Sequence, residues 1–436
     1  MHFKMLNSFK GLVMRINSKW EVKKLGEICT FINGLWAGKK CPFINVYVIR
    51  NTNFTKDGKL DLSNVVNLSL EKKQYEKKRL EYDDIILEKS GGGPKQPVGR
   101  VVLFDIKKGN FSFSNFTSVI RIINKRYVYP KYLYNYLFYC YISGMTEVMQ
   151  SHSTGIRNLN FDEYKKINIV FPSISEQKKI VAKLDKFSEN IKRLEDASRK
   201  NLQNAKDLFN SVLNETFKNK SAVANDNRQV YKKTHWEVKK LGEICTFING
   251  LWAGKKCPFI NVYVIRNTNF TKDGKLDLSN VVNLSLEKKQ YEKKRLEYDD
   301  IILEKSGGGP KQPVGRVVLF DIKKGNFSFS NFTSVIRIIN KRYVYPKYLY
   351  NYLFYCYISG MTEVMQSHST GIRNLNFDEY KKINIVFPSI SEQKKIVARL
   401  DKLSAETKKL EIVYQKKIDG LAELKKSVFK QTFDCG

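Results

Sequence analysis

Apolar positions along this chain fall into two regimes that alternate twice. In the first, runs of β-branched and aromatic residues bounded by Gly, Asn and Asp turns predict short strands, most clearly Val46-Tyr47-Val48-Ile49, Asp84-Ile85-Ile86-Leu87, Val101-Val102-Leu103-Phe104 and Ser118-Val119-Ile120-Arg121-Ile122. Pro130 then opens a stretch in which Leu133, Tyr136, Leu137, Cys140 and Tyr141 keep helical spacing, Pro being suited to a first helical turn. Ile167, Ile169 and Phe171 alternate as a last strand. The second regime begins at Ser173, which with Glu176 forms the S-x-x-E box that satisfies free amides at a helix start. From there Leu184, Phe187, Ile191, Leu194, Ser198, Asn201, Ala205, Leu208 and Val212 step by three and four, the spacing of a coiled-coil seam.

Both regimes then recur. Residues 20 to 182, beginning Trp20-Glu21-Val22-Lys23-Lys24-Leu25-Gly26-Glu27, return letter for letter as residues 236 to 398. Repeats this long are whole domains with their own cores, not solenoid units. Ser389 and Glu392 repeat the cap, and Leu400, Leu403, Thr407, Leu410, Tyr414, Lys417, Leu421, Leu424 and Val428 repeat the seam. The expected order is an extension (1–19), a mostly-β domain (20–172), a long helix (173–217), a polar linker (218–235), a second domain (236–388) and a second long helix (389–433). The fold class is α+β. At ~1.5 Å rise per residue each helix is ~66 Å long, more than a small domain is wide. Pairing of the two helices with each other is therefore expected over packing down their own domains, with Ser198, Asn201, Thr407 and Lys417 as polar residues that set register.

Charge changes the picture. Lys and Arg number 77 against 43 Asp and Glu, a net charge of +34 spread along the chain, which points to a polyanion and most simply to nucleic acid. A generally basic surface is the blander reading. No run of ~18 apolar residues is present to cross a membrane, and Lys4, Lys10, Arg15 and Lys19 interrupt the start of the chain, so no signal peptide is expected and a cytoplasmic location is. None of the seven cysteines has CxxC spacing, so free thiols are expected.

Catalytic chemistry is hard to place. The chain has no Pro-Pro pair of the kind an amino-methyltransferase motif needs, and its four histidines suggest neither a metal cluster nor a triad. Gly34-Leu35-Trp36-Ala37-Gly38-Lys39-Lys40 is one residue short of a phosphate loop and lacks the following Ser or Thr. Its lysines, Lys39 and Lys40, with their copies Lys255 and Lys256, are candidates for DNA contact instead. Two further loops suit DNA. In Ser90-Gly91-Gly92-Gly93-Pro94-Lys95-Gln96-Pro97-Val98-Gly99-Arg100 the glycines would let backbone amides approach a phosphate or groove, and Lys95, Gln96 and Arg100 carry suitable head groups, Gln for adenine and Arg or Lys for guanine or phosphate. The candidates are Ser90, Gly92, Lys95, Gln96 and Arg100, with copies Ser306, Gly308, Lys311, Gln312 and Arg316. The second loop, Ser151 to Leu159, offers Arg157 and Asn158, copied as Arg373 and Asn374. Both loops also read as plain connections. Trp36, Phe111, Phe113 and Phe116 could stack on bases, but aromatics in strand-rich domains more commonly fill the core.

These features together resemble the specificity subunit of type I restriction-modification systems. The likeness is carried, in order and twice over, by Trp20 to Glu27, by Tyr82-Asp83-Asp84-Ile85-Ile86-Leu87 with Gly99-Arg100, and by Thr154-Gly155-Ile156-Arg157-Asn158-Leu159 through Pro172-Ser173-Ile174-Ser175-Glu176-Gln177. The resemblance implies two target-recognition domains, antiparallel helices with pseudo-two-fold symmetry, and a non-catalytic subunit without a cofactor of its own. It implies double-stranded DNA as one partner, two modification (methyltransferase) subunits carrying S-adenosylmethionine, and restriction subunits that translocate DNA with ATP. The family's paired domains normally differ. Here they are identical, so a symmetric pair would read one half-site on opposite strands, an interrupted palindrome with the helices setting the gap. A free-standing tandem DNA-binding protein such as a repressor, or a coiled-coil scaffold with incidental charge, remain the alternatives.

Overall fold

The computed structural model describes residues 20–35, 42–93, 96–151, 156–225, 236–251, 258–309, 312–367 and 372–433. In chain order the first repeat forms β1 (Glu21–Lys24), α1 (Leu25–Ile28), β2 (Cys29–Asn33), β3 (Phe43–Ile49), β4 (Val66–Glu71), α2 (Lys72–Lys78), β5 (Asp84–Glu88) and β6 (Ser90–Gly92). It continues through β7 (Val101–Phe104), β8 (Phe111–Phe113), β9 (Thr117–Ile122), α3 (Pro130–Ile142), β10 (Gln150–Ser151), β11 (Arg157–Leu159), α4 (Phe161–Lys165) and β12 (Asn168–Phe171) to the long helix α5 (Ile174–Asn225). The second repeat keeps this order from β13 (Glu237–Lys240) to β24 (Asn384–Phe387). Its helices are α6 (Leu241–Ile244), α7 (Lys288–Lys294), α8 (Pro346–Ile358), α9 (Phe377–Lys381) and the long α10 (Ile390–Phe433).

Each repeat is organised around a four-stranded sheet, ordered β2-β9-β5-β7 in the first. All five residues of β5 are buried, as befits a strand covered on both faces. Alternation divides its side chains. Ile85 and Leu87 face Leu133, Tyr136 and Leu137 of α3, while Ile86 joins Val102, Phe104, Phe113 and Val119 in a second core on the other face. A three-stranded sheet, β4-β3-β8, with β3 parallel to β8, flanks this second core. β1 pairs antiparallel with β12, Glu21 opposite Phe171 and Lys24 opposite Asn168, so each repeat begins where its long helix starts.

That start is fixed by polar groups as well as by packing. Ser173 Oγ accepts from the Glu176 amide at 3.3 Å while the Ser173 amide donates to Glu176 Oε2 at 3.3 Å. One turn further on, the buried Gln177 accepts from the Tyr129 amide at 2.8 Å and donates to the carbonyls of Tyr127 and Pro172, both at 2.9 Å. A buried amide with its capacity filled this way holds the helix to the segment leading into α3.

The chain divides into two compact units, Met1–Ser198 with Lys416–Gly436, and Arg199–Gln415. Each therefore contains one repeat's globule, the first part of that repeat's long helix and the last part of the other's. In the first unit Phe433, from α10, packs edge-on against Tyr132 and Tyr136 of α3 at 5.6 and 5.3 Å and stacks with Tyr139 at 6.0 Å. In the second, Phe217 of α5 makes the matching contacts with Tyr348, Tyr352 and Tyr355 of α8 at 5.6, 5.2 and 5.8 Å. The beginning of one helix and the end of the other share a single core in both units, which is how an antiparallel helix pair is packed.

The buried stripe keeps the expected seam at Ala205, Leu421 and Val428 and departs from it at other positions of its second half. Leu208 and Leu410 are 41% and 42% exposed, and Asn201 and Lys417 are exposed, while Leu213, Phe217, Ile418, Phe429 and Phe433 are buried. A strict heptad drifts against the 3.6-residue turn, and the ends of these helices follow the surface of α3 or α8 instead of a helix partner alone. Ser198 and Thr407 are buried, their hydroxyls returned to the carbonyls of Leu194 and Leu403 on their own helices.

Candidate nucleic-acid interface

The two loops singled out above are parts of one small sheet. β6 and β11 pair antiparallel and β10 completes the order β10-β11-β6. Asn158 lies opposite Ser90 and Arg157 opposite Gly92, and the Ser90 hydroxyl donates to Asn158 Oδ1. In the second repeat β18 (Ser306–Gly308) and β23 (Arg373–Leu375) pair Ser306 with Asn374 and Gly308 with Arg373 in the same way. Gln96 closes the turn that follows β6. Its amide donates to Gly93 O at 3.0 Å and its carbonyl accepts from the Gly93 amide at 3.1 Å, which leaves the side chain exposed, as it is in Gln312. Gln150 ties the base of this turn to β10 by donating to Val98 O at 2.9 Å and accepting from the Val98 amide at 3.3 Å. Lys39, Lys40, Lys95, Lys255, Lys256 and Lys311 lie outside the described residues.

Two expectations are corrected here. Arg100 and Arg316 are each 7% exposed and turn inward. The Arg100 guanidinium grips Glu88 through Nε and Nη2, both at 3.1 Å, and donates to the carbonyls of Phe54 at 2.8 Å and Asn51 at 3.1 Å. Arg316 repeats this with Glu304, Phe270 and Asn267. These guanidinium groups therefore brace the fold and face no ligand. Gly92 and Gly308 are buried as well. A Cβ on Gly92 would lie 2.5 Å from Gln96 O and 2.8 Å from Val98 Cγ1, so glycine is needed to let the turn fold back on its strand, not to admit a phosphate.

Beside the small sheet lies an open cleft of about 580 Å³ that contains residues not singled out by the sequence. Ser90 and Asn158 form one wall, Phe31 and Asn33 of β2 and the turn residues Asn115 and Phe116 others, and Lys89, Phe161 and Lys165 close it. Phe116 is 44% exposed, whereas Phe111 and Phe113 are buried. The signal was available, since Phe116 breaks the alternation of the other two. Lys89 Nζ donates to Asn33 Oδ1 at 3.0 Å and stands 6.0 Å from the centroid of the Phe161 ring. Burial holds its pKa below the usual lysine value, and the neighbouring Lys78 lowers it further. Lys165 lies over Phe31 at 5.6 Å. The cleft thus offers cations, amides and a partly open ring, the groups that meet phosphates and bases.

The buried cysteines Cys29 and Cys245 have thiols pushed up to about 12 by burial, far from the range of a reactive thiolate. Among the described residues no group of three or more His, Cys, Asp or Glu could hold a metal ion, and no helix is long and apolar enough to cross a membrane.

The molecule is thus a duplicated α+β protein in which each globule repeats the small polar sheet and the lysine anchored beside it. The model of the type I restriction modification DNA specificity domain matches residues 17–204 and again 233–418, and the chain belongs to that family of specificity subunits. It is 23% identical over 429 residues to the type I restriction enzyme StySPI specificity subunit of Salmonella potsdam, a match that spans 95% of this chain and 88% of the relative. It is 27% identical over 283 residues to the MjaIX specificity subunit of Methanocaldococcus jannaschii, covering 61% of this chain and 60% of that one. Among solved structures, a chain from work on complex assembly and conformational transition of the type I R-M system superposes with a TM-score of 0.71 at 15% identity, covering 97% of this chain and 100% of that one. The HsdS subunit from Thermoanaerobacter tengcongensis gives 0.54 at 15% identity, with 96% and 98% covered. These two likenesses are of fold.

Proposed function

We propose that this chain is the non-catalytic DNA-recognition subunit of a cytoplasmic type I restriction-modification complex, and that its two globules, 20–172 and 236–388, read the two halves of an interrupted palindrome. The observation that carries this reading is the duplication of the small sheet. Ser90, Gln96, Arg157 and Asn158 stand in the same register as Ser306, Gln312, Arg373 and Asn374. Identical reading surfaces select identical half-sites, and a symmetric pair of them selects an inverted repeat. The long helices set the distance between the halves and dock two modification subunits, which bring S-adenosylmethionine to the adenine to be methylated. Restriction subunits that use ATP complete the assembly.

The test is affinity purification of the tagged full chain from cells that carry the neighbouring genes, followed by a gel shift with mixed genomic fragments. The expected result is a bound methyltransferase subunit and retarded DNA. DNA binding without any bound methyltransferase would favour a free-standing DNA-binding protein, and no DNA binding in either state would overturn the reading.

A further inference from the structure

Lys89, in the lining of the cleft, is one of two lysines anchored at the end of β2. Lys89 donates to the Asn33 side chain at 3.0 Å, and Lys78, at the end of α2, donates to the backbone carbonyl of the next residue, Gly34, at 2.7 Å. Two ammonium groups are thus anchored on consecutive residues of the same strand end. Lys305 and Lys294 repeat the pair on Asn249 and Gly250 at 3.0 and 2.6 Å. Neither the residues lining the cleft nor the ion pairs among the described residues supply a carboxylate to either lysine of the pair. Partial burial lowers the pKa of Lys89 and of Lys305, and the neighbouring Lys78 and Lys294 lower it further. A solvated surface would let these long side chains spread apart. Here hydrogen bonds to a fixed strand end hold them in place, and Gly34 is itself pinned, because a Cβ there would lie 1.8 Å from Ser114 O.

We propose that this lysine pair is a seat for one phosphodiester oxyanion of the DNA backbone in each repeat, with Lys89 and Lys305 as the contacting groups and Lys78 and Lys294 adding charge behind them. The seat shares the cleft with Ser90 and Asn158, so a strand anchored there lies beside the small sheet that is to read its bases. Phosphate contacts fix register without selecting sequence, so the pair positions and the sheet specifies. This inference rests on the proposed DNA-recognition function.

The test compares the full-length wild type with Lys89→Met plus Lys305→Met, measuring anisotropy of labelled duplexes between about 50 and 200 mM salt. Losing one phosphate contact per repeat should flatten the log-log salt dependence by about 2 and weaken target and unrelated duplexes by the same factor, roughly tenfold. Lys89→Arg plus Lys305→Arg should keep the wild-type slope. Reductive methylation of the wild type gives a readout that needs no variant: duplex DNA should shield Lys89 and Lys305 but leave Lys200, exposed on α5, reactive. An unchanged slope, a loss confined to the target duplex, or absence of shielding would overturn the seat while leaving DNA recognition standing. Shielding by millimolar inorganic phosphate at fixed ionic strength, as strong as that by duplex, would overturn the assignment to DNA in favour of free phosphate. A wild type that binds no duplex at low salt would end both readings.

Discussion

Arg100 is joined to Glu88 by two parallel contacts of 3.1 Å in a pocket that leaves the carboxylate no exposed surface. Burial raises the Glu88 pKa and the guanidinium opposes that rise, so the carboxylate depends on its partner to stay charged. An arginine that looked suited to DNA is instead the counter-ion of a buried acid.

Replacing Arg100 and Arg316 by Met should accordingly destabilise both globules, by about 3 to 5 kcal/mol each, because a buried carboxylate loses its compensating charge. Thermal unfolding checks the first effect. Target preference of the remaining folded protein should be unchanged, which a base-reading arginine would not allow.

Phe433→Ala and Phe217→Ala should each cost about 3 to 5 kcal/mol locally, as expected for removing a fully buried ring. The effect should cross between the repeats. Hydrogen exchange after Phe433→Ala should accelerate in α3 of the first repeat, and after Phe217→Ala in α8 of the second.

Identical globules do not receive identical helix ends. Lys425 of α10 lies over the Phe138 ring at 5.3 Å, with Asp57 and Glu195 nearby, whereas in the second unit Phe209 of α5 packs on the core. Burial holds the Lys425 pKa below its ordinary value of 10.5, more than the two carboxylates restore. The folded state therefore gives up this proton before the unfolded state does, and stability gained from deprotonation grows as pH rises from the folded pKa towards 10.5. Lys425→Met should melt higher than wild type at neutral pH, with the gap narrowing as pH rises through that window. A constant gap would indicate that charge burial is not the cause.

Gln96→Ala with Gln312→Ala should relax target choice with little change in salt dependence, since an exposed amide on a fixed turn can read a base edge but neutralises no phosphate. Unchanged selectivity in a binding selection would make the turn a simple connection.

Much of this was legible in the chain because it is local. Alternation marked Ile85, Ile86 and Leu87, and the Ser173–Glu176 spacing marked the start of α5. Contacts between distant residues were not legible. Nothing in the run from Ser90 to Arg100 reveals that Ser90 meets Asn158 or that Arg100 meets Glu88, because burial and partner choice are decided by the tertiary fold. Heptad spacing likewise implied a seam that holds at Ala205, Leu421 and Val428 but not at Leu208 and Leu410, while packing of the helix ends on the α3 and α8 tyrosines adds Phe433 and Phe217 to the buried stripe. Lys89 was passed over because a single lysine in a basic chain carries no signal until Lys78 is found beside it.

The most direct test of the account is selection of bound sequences from a randomised duplex library by the full chain with its methyltransferase partner, read alongside the pattern of adenine methylation in cells. Two copies of one half-site, inverted and separated by a fixed gap, are the expected result. Two unlike half-sites, or a single uninterrupted site, would contradict it.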